Sequence, residues 1–409
     1  MDRITKIIIR NVRAIESLEL ELGDPITVLI GENGAGKSTI IECVELLREA
    51  AEPNFMQRFY TLHRGMPGLL RKGATSMTLG LVTKDDEGTI IEYSFSLASQ
   101  GAMVFVIDET VAVRLASEPT TRHLVMDSGD ALVFHDGTND FVGLRRLNKA
   151  AQGAEQLALG GFGAAAPNMF IERLLAALRG IEAHVGFETR ASWVARSYQR
   201  TESLRGASTL FPAQRLELMG VNLANAWWEL QSRASSRWDE TMEIVRLGLG
   251  ERVDKVIVTP DPGGGNVYLS VRFKDMAEPV VAANLSDGQL SWLGFVAMVR
   301  LNERRSLLAI DEPELHMHPA LLGRVISLLT SAGAKAPVLI SSHSDRVLEL
   351  LDDPADALRV CSMEGSRAVL SRIDTEKLPL WLKQFGDLGQ LRASGYLPRV
   401  LEATQKGDT

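Results

Sequence analysis

The stretch LLAIDEPELHMHP, from Leu307 to Pro319, concentrates side chains that could do chemistry. It places three acids and two histidines within eight residues: Asp311, Glu312, Glu314, His316 and His318. Such a set could chelate a metal ion or supply an acid/base pair. Zinc sites usually draw on more widely spaced ligands, and a structural zinc site would require cysteines, which this stretch lacks. The apolar residues before Asp311 favour a buried strand with acids at its C-terminal tip, which makes chemical sense if another segment binds a phosphate.

That other segment is GENGAGKST, which fits the pattern G-x-x-x-x-G-K-[ST]. An apolar run precedes it and an amphipathic pattern follows, as expected for a strand, a glycine-rich loop and a helix. The glycines let successive backbone N–H groups cradle phosphates, and the helix N-terminus adds its positive dipole end. Lys37 would reach the β- and γ-phosphates, and the Ser38 hydroxyl would ligate Mg²⁺. The predicted nucleotide-binding residues of this loop are Asn33, Gly34, Gly36, Lys37, Ser38 and Thr39.

A phosphate loop gives the two adjacent acids separate roles. In P-loop NTPases an apolar strand ends in an aspartate that holds the Mg²⁺ shell, which here is Asp311. Glu312, the next residue, can orient and deprotonate an attacking water. Two carboxylates with different tasks favour hydrolysis over binding alone.

Two further segments carry weaker signals. NLSDGQL contains Ser286 and Gln289 at the spacing of a capping box, and a helix start of this kind can present N–H and O–H groups to an anion. VLISSHSD reads as an apolar strand that ends at His343. Taken singly, S-x-x-Q is a common pattern, and such a histidine is more often a local hydrogen-bonding residue than a catalytic one.

The elements needed to position these residues can be read from periodicity. Residues 4–10 and 17–22 predict strands, 75–115 an antiparallel meander, 150–165 an Ala/Gly-rich loop, and 168–249 a mainly helical region. Residues 253–273 predict a hairpin. In the last third, short apolar strands alternate with helices, which predicts a parallel sheet covered on both faces. The predicted fold class is therefore α/β.

Composition restricts the protein class. The 409 residues are 45% hydrophobic and 23% charged, with a net charge of −8 and two cysteines. These values favour a globular cytosolic protein without a disulfide framework, and no apolar run approaches a membrane span of about 18 residues. The start of the chain lacks the order of a signal peptide. Basic clusters at Arg145, Arg146 and Lys149, and at Arg71 and Lys72, are interpreted as solvated faces.

Taken together, GENGAGKST, NLSDGQL, LLAIDEPE and VLISSHS resemble the Walker A, signature, Walker B and switch-histidine motifs of ABC-type ATPases. In sequence these motifs resemble the RecF/SMC/OLD-like soluble branch more than transporter subunits; that branch includes predicted AAA-type ATPases of bacterial DNA repair and anti-phage defence. The segments that carry this closer resemblance are IIIRNVRAIESLELEL, LSDGQL, DEPELHMHP, GVNLANAWWEL and FGDLGQLRASGYL. The resemblance covers residues 1–95 and 205–395 well and 96–204 poorly.

The resemblance implies an ABC-ATPase head that binds ATP and Mg²⁺ and closes head to tail with a second copy. Ser286 and Gly288 would then touch the γ-phosphate held by the partner's Lys37, and Gln289 is a further nucleotide-binding residue of this segment. It also implies Glu312 as the catalytic base and His343 as a catalytic residue that senses or stabilises that phosphate.

Details of the resemblance lead to further expectations. His318 and Pro319 fall in the loop expected to cross the dimer interface, and Asp287 replaces the glycine of the common transporter signature. Gln100 is a candidate for the family's glutamine between the lobes, with a surface glutamine as the alternative, and residues 11–13 are candidates for base contacts.

The expected domains are an N-terminal lobe with Walker A and an antiparallel β subdomain (1–95), a β/helical insertion (96–245) and a C-terminal lobe (246–409).

Three functions are compatible with these motifs. The first is an ATP-hydrolysing switch that controls DNA, with double-stranded DNA as a candidate ligand, or a separate nuclease-like effector in repair or defence. The second is the nucleotide-binding subunit of a membrane transporter, although ELHMHP differs from the usual transporter sequence at this position. The third is a scaffold with a structural nucleotide, which the presence of Glu312 disfavours. Neither a long coiled coil nor an appended nuclease domain is visible.

Overall fold

The structure is a computed structural model that describes residues 2–116, 118–127, 130–134, 141–144, 156–165, 167–189, 204–233, 237–315 and 317–401. His316 and the basic cluster at Arg145, Arg146 and Lys149 lie outside these ranges.

Within the described residues the chain alternates strands and helices. In chain order the strands are β1 (Arg3–Val12), β2 (Ile15–Glu21), β3 (Ile26–Gly31), β4 (Ser76–Lys84), β5 (Ile90–Gln100), β6 (Met103–Arg114), β7 (Thr121–Asp127), β8 (Asp130–Phe134), β9 (Phe141–Leu144), β10 (Ile181–His184), β11 (Ser208–Thr209), β12 (Val253–Pro260), β13 (Asn266–Phe273), β14 (Val280–Val281), β15 (Leu307–Asp311), β16 (Val338–Ser342), β17 (Leu358–Glu364) and β18 (Arg367–Arg372). The helices are α1 (Lys37–Glu49), α2 (Phe55–His63), α3 (Ala158–Phe162), α4 (Met169–Arg179), α5 (Leu223–Arg233), α6 (Trp238–Leu249), α7 (Asp287–Leu301), α8 (Pro319–Gly333), α9 (Asp345–Leu348), α10 (Pro354–Ala357), α11 (Leu378–Phe385) and α12 (Leu388–Ala393).

The central sheet has the strand order β10-β15-β16-β3-β17-β18. Its first five strands are parallel, and β18 closes the edge as the antiparallel partner of β17. β3, β15 and β16 are short apolar runs, as expected for strands that are buried on both faces.

Alternate residues of the central strands enter two different cores. Leu29, Ala309 and Leu339 belong to the core shared with α1 and the first antiparallel sheet. Ile30, Ile310 and their neighbours face the other way, towards α5, α7 and α8. This two-residue period places helices on both faces, as the sequence predicts. The fold class is confirmed as a mixed α/β head with antiparallel sheets attached.

The first antiparallel sheet has eight strands in the order β2-β1-β4-β5-β6-β7-β8-β9. The predicted meander at 75–115 corresponds to β4, β5 and β6. The expected boundary at 95/96 falls inside β5, and the sheet continues into the expected insertion. The three-part division of the chain therefore stays a prediction, and the sheet connections cut across it.

Two local expectations are wrong. Residues 181–184 were expected to be helical, but they form β10, which pairs in parallel with β15. Gly180 ends α4 just before them, and the strand then lies buried at the sheet edge. Within the predicted 150–165 loop, Ala158–Phe162 forms a short helix, while 150–155 lie outside the described residues.

A small third sheet covers α5. β12 and β13 form the predicted hairpin, and β11 and β14 both pair with the opposite edge of β13. α5 packs both on this sheet and on α7.

Candidate functional site

Three parallel strands bring the predicted site residues together. β16 pairs with both β3 and β15, and all three run in the same direction. The carboxyl ends of parallel strands meet at one edge of a sheet, which is the usual ligand site in such folds. The P-loop therefore lies beside Asp311, Glu312 and His343, which are far from it in sequence.

The P-loop backbone has the shape that its glycines permit. Gly34 and Gly36 have φ of 80° and 90°, in the left-handed region that residues with a side chain rarely enter. Gly36 is the N-cap of α1, and among the described residues no side chain caps this helix. Its first-turn N–H groups are therefore available to an anion, which fits a bound phosphate.

Gly31 is required for a different reason. It is the last residue of β3 and lies opposite Cys361 of β17. A Cβ built on Gly31 would lie 2.0 Å from the Cys361 carbonyl oxygen. β17 can therefore follow β3 to the beginning of the loop only because this position has no side chain.

Lys37 is buried, with 3% of its surface exposed. Its ammonium group donates to the carbonyl oxygens of Gly31 and Glu32, each at 2.9 Å. Burial lowers the pKa of Lys37 because it disfavours the charged form. The ammonium is thus held inside the loop by backbone oxygens, at the position where phosphate oxygens would replace them.

Ser38 and Asp311 meet as the sequence predicts for a Mg²⁺ site. Ser38 Oγ donates to Asp311 Oδ1 at 3.2 Å, and Ser341 Oγ donates to the same oxygen. Hydroxyl and carboxylate oxygens are the ligands that Mg²⁺ prefers, and it completes its octahedron with water and phosphate oxygens. The Ser38–Asp311 pair therefore fits the metal. Ser341 was missed because ISSHS does not indicate which serine faces the neighbouring strand.

Glu312 and His343 form the second pair. His343 Nε2 lies 3.0 Å from Glu312 Oε1, and both side chains are about one-third exposed, at 34% and 27%. Glu312 has a φ of 50°, which is uncommon for a residue with a side chain and costs about 1–3 kcal/mol. Its amide donates to the Ser341 carbonyl at 3.1 Å. This turn directs the carboxylate towards His343 and away from the strand.

Glu314 was counted among the acids but received no role from the sequence. Its Oε1 accepts from Ser342 Oγ at 2.7 Å and from the His343 amide at 2.8 Å. It therefore ties the loop after β15 to the loop after β16. The only signal in the sequence was a carboxylate three residues after Asp311. The sequence alone could not show its role, because its partners lie at the end of another strand, β16.

The signature segment lies at the exposed start of α7. Ser286 is the N-cap, its hydroxyl accepts from the Gln289 amide, and the Gln289 side chain accepts from the Ser286 amide at 2.9 Å. The capping box read from the sequence is therefore present. Among the described contacts, no hydrogen bond links Ser286, Gly288 or Gln289 to Lys37.

Asp287 has a local partner that compensates its charge. Arg205 Nη2 donates to Asp287 at 2.6 Å, and Arg205 Nη1 donates to the carbonyls of Ala283 and Leu285. A carboxylate in the first turn also suits the helix dipole. The acid that replaces the usual glycine is thus part of a support for the segment before α7, and sequence spacing could not connect it to residue 205.

The segment proposed for base contacts lies beside the first turns of α1. Asn11 and Arg13 have φ of 58° and 48° at the β1–β2 turn. Arg13 reaches Thr39 Oγ1 at 3.4 Å and also bonds Glu42. Burial alone would raise the pKa of Glu42, but hydrogen bonds from His63 and Arg13 outweigh it and lower the pKa. The turn is therefore fixed against the P-loop helix.

Other candidate residues have local roles or none. Gln100 is exposed at the end of β5, next to the turn into β6, so the surface alternative fits its position. His318 is the N-cap of α8, since its Nδ1 accepts from the Ala320 amide, and Pro319 follows as the first helical residue. Asn33 is exposed.

The described residues contain no group of three or more histidines, cysteines or acids able to hold a metal ion. The chelate alternative for His316 and His318 therefore has no support there, although His316 itself is not described. Among the same residues, no helix is long and apolar enough to span a bilayer.

Comparison with solved structures shows the fold. An SMC head bound to the C-terminal winged-helix domain of ScpA matches with a TM-score of 0.54 and 11% identity, over 92% of this chain and 99% of that one. The SMC head domain from Thermotoga maritima matches with a TM-score of 0.42 and 12% identity, over 91% and 100%. A Pyrococcus furiosus Smc head with an extended coiled coil, bound to the C-terminal domain of ScpA, gives 0.48 and 11%, over 94% and 99%. No curated protein sequence matches this one.

Comparison with protein families identifies the relationship. Residues 26–349 match a family model described as "AAA domain, putative AbiEii toxin, Type IV TA system". The matched interval begins with β3 and includes the P-loop, the signature segment, β15 and His343. Since it spans well over half of the 409 residues, the chain belongs to this family of AAA domains, and its fold is that of an SMC head.

Proposed function

We propose that this protein is an ATP-hydrolysing switch that closes as a head-to-tail dimer on ATP and reopens after hydrolysis. The observation that supports it best is the convergence of Lys37, Asp311, Glu312 and His343 at one edge of the central sheet. A site that only bound a nucleotide would need only Lys37 and Asp311. The contact between Glu312 and His343 adds a base and a group that orients it.

The residues divide the chemistry among them. Lys37 and the N–H groups of the loop bind the β- and γ-phosphates. Ser38 and Asp311 hold Mg²⁺, which neutralises charge on the phosphates. Glu312 orients the attacking water and takes its proton, and His343 keeps the Glu312 carboxylate in place and responds to the γ-phosphate.

A second copy is needed because the signature segment lies apart from the P-loop of its own chain. Ser286 is exposed and its hydroxyl is oriented by the capping box. Presented to another protomer, Ser286, Gly288 and Gln289 would contact the γ-phosphate bound there. ATP therefore promotes dimerisation. Hydrolysis promotes dissociation, because it removes the γ-phosphate that both chains contact.

The output of the switch is a separate effector, such as a nuclease, or double-stranded DNA, in the cytoplasm of a cell that uses the protein in repair or anti-phage defence. This part of the proposal rests on the resemblance of the motifs and on family membership, so it is an analogy at the level of the fold.

The test measures ATP turnover and molecular mass for the wild type, Glu312→Gln and Lys37→Ala. Glu251→Gln, at an exposed glutamate outside the site, is the matched control. We expect Glu312→Gln to lower kcat by about 10²–10⁴-fold, to retain ATP, and to elute as an ATP-dependent dimer. Lys37→Ala should remain at its nucleotide-free mass.

Two results would reject the proposal. Equal turnover in wild type and Glu312→Gln would exclude Glu312 as the base. An unchanged mass of Glu312→Gln with bound ATP would exclude the closed dimer. Repeating turnover with linear duplex DNA separates the two outputs, because stimulation favours DNA and indifference favours a protein effector.

A further inference from the structure

The C-terminal helical segment contacts the loop that carries His343. Arg392 of α12 donates through Nη1 to the His343 carbonyl oxygen at 3.3 Å and to Asp345 Oδ1 at 2.6 Å. Only 22% of the Arg392 side chain is exposed. A residue near the end of the chain is thus bonded to the main chain of the switch histidine.

The position of Arg392 is itself well fixed. Asp387 caps α12 by accepting from the Gln390 amide at 2.7 Å, and it also accepts from the Gln390 side chain at 2.9 Å. Leu388 and Leu391 are buried. α12 packs against α9, and a Cβ on Gly389 would lie in van der Waals contact with the Asp345 carbonyl oxygen, at 3.4 Å. The guanidinium is therefore presented by a packed helix and not by a free surface side chain.

His343 is held from both sides of its backbone. Its amide donates to Glu314, and its carbonyl accepts from Arg392. With both peptide groups fixed, the imidazole has little freedom except at its own χ angles, and it lies 3.0 Å from Glu312. Placement of the reacting groups within a fraction of an ångström is a large part of catalysis, so these two supports affect turnover without touching the substrate.

We propose that Arg392 is a positioning residue for hydrolysis, which acts by fixing the His343 main chain so that the imidazole stays against Glu312. The inference rests on the proposed ATPase function. The competing role would be a direct contact of the guanidinium with a phosphate. Arg392 is near enough for its positive charge to act on Lys37 in the same direction as burial, towards a lower pKa. The test must therefore separate the two roles.

The experiment measures kcat, KM and ATP affinity for Arg392→Ala, Arg392→Lys, His343→Ala and the double variant Arg392→Ala/His343→Ala. Arg399→Ala, at an exposed arginine of the same segment with no ion pair among the described contacts, is the matched control. We expect Arg392→Ala to lower kcat about tenfold while KM and ATP affinity stay within about threefold. Arg392→Lys, which keeps the charge and one of the two bonds, should fall between it and the wild type and also guards against a folding defect.

The double variant tests whether Arg392 acts through His343. If Arg392 acts through His343, the double variant should turn over as slowly as His343→Ala and no more slowly. Full additivity of the two losses, a rise in KM with kcat unchanged, or wild-type kinetics in Arg392→Ala would each overturn the inference. Failure of the proposed function is recognised separately, because His343→Ala and Glu312→Gln would then turn over at the wild-type rate.

Discussion

The proposed nucleotide site consists of two regions built in opposite ways. The phosphate cradle, residues 31–39, is one continuous segment whose lysine is satisfied by its own carbonyls. The hydrolytic edge consists of Asp311, Glu312, Glu314 and His343, with Arg392 as its outer support. Its contacts connect three elements: the loop after β15, the loop after β16 and helix α12.

This difference separates binding from turnover. The cradle depends mainly on local backbone geometry and on burial of one cation, so ATP binding should be less sensitive than turnover to changes outside residues 31–39 and Asp311. The hydrolytic edge exists only when β15, β16 and α12 are correctly packed. A change that loosens any of these elements should slow hydrolysis first and weaken binding later, which gives a partner protein several places from which to control turnover.

Lys37→Ala should break the cradle with the largest effect. It removes the point charge on the β- and γ-phosphates, and we expect ATP affinity to fall by more than about 100-fold. Calorimetric titration with ATP measures it, with Lys335→Ala, at an exposed lysine, as the control. Unchanged affinity would mean that the cradle does not hold the phosphates.

Glu314→Ala should damage the hydrolytic edge alone. It leaves the His343 amide and the Ser342 hydroxyl without their acceptor, and such a loss costs about 2 kcal/mol, or roughly thirtyfold in kcat if it falls on the transition state. ATP affinity should not change. Steady-state kinetics and titration on one preparation test this, with Glu278→Ala as an exposed control. Equal losses in ATP affinity and kcat would show that the two regions do not act independently.

Arg205→Ala should affect neither region within one chain and weaken closure of two. It frees the carbonyls of Ala283 and Leu285 and unpairs Asp287. In a Glu312→Gln background we expect the dimer dissociation constant with ATP to rise about tenfold, about 1.4 kcal/mol. Light scattering over a concentration series measures it. Arg252→Ala, which breaks an exposed ion pair with Asp275, should leave the constant unchanged.

Ser286→Ala should give the smallest change in the isolated monomer. Loss of the N-cap of α7 costs about 1 kcal/mol of stability and removes one hydroxyl from the signature segment. Chemical denaturation should show a slightly lower midpoint, while ATP titration of the monomer should be identical to the wild type. A weaker ATP affinity in the monomer would mean that Ser286 serves the cradle of its own chain.

The same contrast explains what the sequence could predict. The cradle, β3, β15 and the capping box at Ser286 are local patterns, in which glycine, apolar runs and a four-residue spacing carry their own geometry. Glu314, Arg205 and Arg392 were not assigned roles, because their partners lie 28 to 82 positions away, on elements whose packing a single sequence does not specify. The sequence of β10 reads as a continuation of α4 because residues 168–185 form one run rich in helix-forming residues, and four residues are too few for a period to decide between helix and strand.

The left-handed backbone at Glu312 has a consequence for heat resistance. A side chain of this size in that conformation stores about 1–3 kcal/mol, part of which asparagine would avoid. A chain selected only for survival at high temperature would therefore tend to replace this residue and lose the proposed base. A substitution of Glu312 should therefore raise the melting temperature and lower the ATP turnover. For this reason the residue at position 312 of any stabilised variant should be identified before its activity is interpreted.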